Sequence, residues 1–182
     1  MSRRAGRALA LLALAAGAAA LALWPRPERG ESPRLAAGAD VLACRENLRA
    51  IHAGLAAYVG RYGTLPSGSG TGFLAALVTG GIWPDTPESR ARLQCPGGGD
   101  YAVRDFAAHP LVRFPCGGDE PIAGCANARG RNHAGATNVL YADKTVRTLL
   151  VATEIEKGTL PAGATTLPVG PASPLADLKK LR

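Results

Sequence analysis

Four cysteines and three histidines carry most of the chemistry available to this sequence. Cys44, Cys95, Cys116 and Cys125 are even in number, and the chain opens on a segment that directs it out of the cytoplasm, so two disulfides are expected. Three pairings are open. The favoured one joins Cys116 to Cys125 across a short Gly-containing loop and Cys44 to Cys95, tying a helix to a loop region. The second bridge closes a loop of about 50 residues and contributes roughly 3–4 kcal/mol in the chain-entropy model. A structural zinc site is the rival use of the same thiols, and the spacing argues against it because no Cys-x-x-Cys pair is present. His109 and His133 could approach a thiol, but nothing local marks one cysteine as a nucleophile.

The carboxylates are scattered. Asp100, Asp119 and Glu120 lie in Gly-rich loops and are weak calcium candidates without an EF-hand pattern; no other metal or cofactor is expected. The sequence has no nucleophile elbow, His-Glu-x-x-His or phosphate loop, so no catalytic residue is assigned and the chain is not expected to be an enzyme. The formal charge of +7 does not indicate nucleic acid, because Arg3, Arg4 and Arg7 account for part of it. The other arginines form no basic stripe with interleaved aromatics.

Elements to position these residues follow from the pattern of apolar side chains. Residues 8–24 are uncharged, about 25 Å of helix, and three arginines precede them. This is a signal or anchor segment that would hold the chain at a membrane if uncleaved and leave the remainder outside the cytoplasm, anchored or secreted. Prolines 25, 27 and 33 make residues 25–34 a linker. A helix is expected from Leu35 to Tyr62, because Val41, Cys44, Leu48, Ile51, Leu55, Tyr58 and Tyr62 recur at spacings of three and four. His52 sits beside that stripe and is expected to be partly exposed. A short apolar segment over residues 73–78 follows, with Trp83 packing on the long helix.

Residues 84–131 read as turn-rich, with a short strand at 101–104. Residues 137–142 and 145–151 read as a β-hairpin, in which a two-residue turn would place Lys144 at positive φ and a different turn or a wider loop would relieve that strain. The folded part is thus an α+β domain over residues 35–152, a long amino-terminal helix on a small antiparallel sheet. Residues 153–182 form an extended tail in which Ser173-Pro174 caps a last turn.

Four segments, taken in order, resemble one family: CRENLRAI from Cys44, YVGRYGTLP from Tyr58, LQCP from Leu93 and HAGATNVLYAD from His133 to Asp143. Over residues 41–150 the chain is similar to bacterial pseudopilin-like proteins with a prepilin-type H-x9-DG domain, related to the major pseudopilin of type II secretion. The resemblance implies a helix packed on a small sheet, a place in the cell envelope, and secretion or pilus-type assembly proteins as partners. His133 and Asp143 are carried over as motif residues without a chemical role. Lys144 stands where the family has glycine, and the prepilin amino-terminal motif is lacking, with no acidic residue before Glu28. The expected function is an exported structural protein; the alternative is an exported module binding calcium or a small ligand on the same scaffold.

Overall fold

The computed structural model describes residues 38–126, 133 and 135–182. The export segment, the linker and the helix start expected at Leu35 lie outside these residues. No helix among the described residues is long and apolar enough to cross a membrane.

The first described element, α1 (Ala39–Tyr62), has 24 residues and carries the anticipated apolar stripe. Val41, Cys44, Leu48, Ile51 and Leu55 are buried, which is the one-sided pattern a 3.6-residue period produces. Gly63 ends the helix at φ 77, and its N–H reaches Val59 O, so glycine supplies the left-handed cap that a side chain would strain. Helices α2 (Gly70–Thr79) and α3 (Pro87–Arg92) follow. Trp83 lies against α1 as expected: a Cβ built on Gly54 would stand 3.0 Å from Trp83 Nε1.

Strands β1 (Tyr101–Val103), β2 (Pro121–Cys125), β3 (Ala136–Tyr141) and β4 (Val146–Leu150) form one antiparallel sheet in the order β1-β2-β3-β4. Strand β2 falls within residues 84–131, which the sequence pattern marks only as turn-rich. Its five buried residues, Pro-Ile-Ala-Gly-Cys, contain no polar alternation, because both faces of the sheet are covered. Helix α1 crosses one face, where Leu48, Ile51 and Leu55 meet Tyr101, Val103, Ile122 and Leu140. Asn138 pins the helix to β3 by donating to Val41 O at 3.0 Å, and it accepts from Thr148 Oγ1 at 2.8 Å.

The opposite face is closed by the carboxy-terminal segment. Instead of running on as a plain tail, it begins with α4 (Val151–Glu156) and ends with a 3₁₀ turn at Leu178–Lys180. Leu160, Leu167, Leu178 and Leu181 are buried against Ala102, Val139 and Tyr141. Val103 and Arg182 exchange two backbone hydrogen bonds of 2.9 Å, covering the free edge of β1. Ser173 Oγ accepts from Leu175 N, as its position before Pro174 suggested.

The hairpin is present, but its connection is wider than a two-residue turn. Lys144 N donates to Tyr141 O and Tyr141 N donates to Thr145 O, which leaves Lys144 as the left-handed residue at φ 70. It is the one non-glycine residue at positive φ among the described residues. Lys144→Gly is expected to stabilise the fold by about 1 kcal/mol, read as a raised urea midpoint with an unchanged slope.

Candidate metal centre

Where α1, the loop after α3, β2 and the approach to β3 meet, four side chains converge: Cys44, Cys95, Cys125 and His133. Their sulfur and nitrogen atoms all lie within 4.8 Å of one another. Cys44 Sγ is 3.3 Å from Cys125 Sγ, which is 3.8 Å from Cys95 Sγ, and Cys95 Sγ is 3.2 Å from His133 Nε2. All four residues are buried.

Local structure explains how each arrives. Asp40 and Cys44 are four residues apart on α1 and share a face, so one turn of helix offers a carboxylate and a thiol to the same centre. Cys95 opens a tight loop in which Cys95 N donates to Gly99 O and Gly98 N to Cys95 O, with Gly98 at φ 91 where a side chain would be strained. Cys125 is the last residue of β2, paired with Tyr101 of β1. His133 precedes β3.

The expected disulfides are not what the structure shows. All four cysteines are free and none is at disulfide distance from another. Cys116, assigned to Cys125, is half-buried and outside the cluster. Cys44 and Cys95 do come together, but with Cys125 and a histidine as well. Spacing arguments missed the cluster because its members come from four separate elements. The one local signal is the short separation of Cys125 and His133, eight positions apart in the sequence.

Three thiols and an imidazole at these separations could hold a metal ion. Tetrahedral zinc with Zn–S of about 2.3 Å and Zn–N of about 2.0 Å sets its sulfurs about 3.8 Å apart and sulfur and nitrogen about 3.5 Å apart. The observed contacts of 3.3 and 3.8 Å between sulfurs and 3.2 Å between sulfur and nitrogen lie at or within about 0.5 Å below those values, so the donor set fits zinc or another thiolate-seeking ion with little movement. His133 is already oriented for such a role. Its Nδ1–H donates to Asp40 Oδ2 at 3.0 Å, leaving the Nε2 lone pair to face the sulfurs.

Without an ion the cluster favours a thiolate beside a protonated imidazole, so a bound metal would displace the Nε2 proton of His133. The Cys95 thiol is held far below its ordinary range, chiefly by hydrogen bonds from Cys125 and Cys44 and, against the cost of burial, by His133. Burial opposes the charged form of His133, yet hydrogen bonds to Cys44, Cys95 and Asp40 raise its pKa to about 10. Cys125 is pushed up, first by its hydrogen bonds with Cys44 and Cys95, and so is Tyr101, chiefly by burial. Tyr101 donates its hydroxyl to Cys44 Sγ at 3.6 Å, the kind of outer contact that steadies a thiolate. Asp40 is drawn below the usual carboxylate range, first by its bond to His133. Removing that carboxylate in Asp40→Ala is expected to weaken zinc binding about 10- to 100-fold, measured by competition with a chromophoric chelator.

The other candidate residues lie elsewhere. His133 and Asp143 stand before and after β3, a six-residue strand that spans roughly 17 Å, so the two motif residues lie at its opposite ends rather than forming one site. Asp143 serves the hairpin turn: its Oδ1 accepts from Thr145 N at 2.9 Å and Thr145 Oγ1 at 2.6 Å. Two of the three calcium candidates are engaged by cations. Asp119 pairs with Arg147, and Glu120 with Arg104 and Lys180. With Asp100 they form no ligand group among the described residues. The absence of a metal expected from the sequence is therefore replaced by a different and stronger candidate than calcium. His52, expected to be partly exposed, is buried, and its Nε2–H donates to Ala142 O at 3.0 Å.

No protein-family model, curated protein or solved structure matches this chain.

Proposed function

We propose that this chain is a non-catalytic, pseudopilin-like structural domain of the bacterial cell envelope, in which zinc bound by Cys44, Cys95, Cys125 and His133 fastens α1 to the sheet. The observation that carries the proposal is the convergence of four ligand atoms within 4.8 Å at the junction of helix, loop and strands. Four protein ligands complete a tetrahedron and leave no position for substrate, which is the arrangement of structural rather than catalytic zinc. Their burial reinforces this, since all four ligand residues are withdrawn from solvent. The chain carries 23 glycines and 14 prolines, and a small, loop-rich domain gains much from one strong cross-link.

The envelope location rests on the arginines before the apolar segment at residues 8–24, and the pseudopilin-like scaffold on the four sequence motifs and the helix laid across an antiparallel sheet. Assembly proteins of a secretion or pilus-type system are the corresponding partners. Metal analysis of protein purified without added metal should find one zinc per chain, and cobalt exchange should give the visible bands of a tetrahedral thiolate site. A folded, metal-free protein whose thiols are oxidised in pairs would refute the zinc reading. Recovery of the protein in a cytosolic fraction would refute the envelope reading and leave the zinc reading standing.

A further inference from the structure

A groove of about 540 Å³ lies beside the β3–β4 hairpin, lined by His52 of α1, Arg113 and Cys116 of the loop between β1 and β2, and Asp143 and Lys144 of the hairpin turn. A second cleft of about 540 Å³ shares His52 and Lys144 and adds Arg49 and Thr145. The shared residues make the two clefts one trough, and each half falls within the size range of small-ligand sites, about 300–1,000 Å³.

The trough carries three permanent cations, Arg49, Arg113 and Lys144, against one carboxylate, Asp143. Asp143 Oδ1 is already taken by Thr145 N and Oγ1. Arg49 has an ion pair with the exposed Glu46 on its own helix. By contrast, the side chains of Arg113 and Lys144 make no ion pair or hydrogen bond with any described residue. His52 is fixed between them: its Nε2–H is bound to Ala142 O, and its ring lies 5.0 Å from that of Phe114.

Lys144 supplies a second, independent observation. It holds φ 70, a backbone region that ordinarily selects glycine. The hairpin connection sets that backbone conformation, and strain of this kind is commonly retained at ligand sites. Here the strained residue is one of the two that line both clefts.

We infer that this trough binds a small polyanion bearing two or more carboxylate or phosphate groups, with Lys144 between its two halves and Arg113 and Arg49 each gripping an anionic group. Guanidinium groups match both carboxylate and phosphate oxygens through paired hydrogen bonds, and the ammonium of Lys144 adds a point charge. The inference is independent of the zinc centre, which shares no residue with the trough.

Cys116 provides the assay. It lines the trough and is the one cysteine outside the buried cluster, so its alkylation by a maleimide reports occupancy. The full chain would be titrated with fructose 1,6-bisphosphate in one arm and tricarballylate in the other, both at constant ionic strength. The expected result is saturable slowing of Cys116 alkylation in at least one arm, and the arm that saturates identifies phosphate or carboxylate as the ligand group. Lys144→Gly should weaken that protection about tenfold while raising the melting midpoint, and Arg113→Ala should weaken it comparably. Alkylation that stays unchanged in both arms at constant ionic strength would overturn the inference. So would wild-type protection in folded Lys144→Gly and Arg113→Ala proteins.

Discussion

Cys125→Ser is expected to strip the zinc and unfold the domain at 25 °C. Cys125 is fully buried and is the sulfur that stands beside both Cys44, at 3.3 Å, and Cys95, at 3.8 Å. Its loss leaves three ligands drawn from elements that the chain itself joins only through long loops. Structural zinc contributes apparent binding energies of about 10–16 kcal/mol in zinc-finger peptides near neutral pH. The entire stability of a domain is about 5–15 kcal/mol, so one ligand decides whether this fold is populated. Excess strong chelator should reproduce the loss in the unaltered protein, and zinc should restore it. Three thiols must lose protons to bind the ion, so zinc retention should fall steeply as the solution is acidified. Cys116→Ser serves as the control and should keep both the metal and the melting midpoint. Far-ultraviolet circular dichroism alongside metal content is the measurement. A metal-depleted Cys125→Ser protein that melts cooperatively near the wild-type midpoint would remove the structural role assigned to the site.

The second large effect is expected at Glu120. Arg104 is buried in β-sheet surroundings with its side chain 4% exposed, and its Nη1 is 2.7 Å from Glu120 Oε2. Nε and Nη1 also donate to His109 O and Pro121 O, and Lys180 reaches the same carboxylate at 3.1 Å. Glu120→Ala would leave the guanidinium buried with carbonyl acceptors alone. Breaking a fully buried pair costs about 3–5 kcal/mol; the side chain of Glu120 is 40% exposed and two carbonyl contacts survive, so about 2–3 kcal/mol is expected. The pH dependence has a definite sign. Hydrogen bonds from Arg104 and then Lys180 depress the folded-state pKa of Glu120 below its ordinary 4.5. Its contribution is therefore present above pH 4.5 and is lost as the pH falls through the depressed value. Urea midpoints measured from neutral pH into that acid range should converge for wild type and Glu120→Ala, and parallel curves would refute the assignment.

Much of the scaffold was legible because its signals are local. The three-and-four spacing of Val41, Cys44, Leu48, Ile51 and Leu55 required a one-sided helix, and Gly63 marked its end. The apolar residues on either side of Asp143-Lys144 specified a hairpin, but the wider connection that was expected to relieve Lys144 leaves it at φ 70 all the same. Strand β2 was less visible because its burial on both faces erases the alternation by which a strand is recognised. His52 was misjudged for a related reason: its place beside the stripe says nothing about the Phe114 ring and Ala142 carbonyl that enclose it from distant segments.

The metal centre marks the boundary between the two kinds of information. By itself the sequence determined that four thiols exist, that one lies on the inward face of a helix and that a histidine precedes a strand. Only the tertiary structure decided that Cys44, Cys95, Cys125 and His133 share one point while Cys116 does not. Pairing rules and metal motifs read distance along the chain, whereas coordination depends on distance through space. Here α1 and the sheet bring Cys44 and Cys125, 81 positions apart, to 3.3 Å.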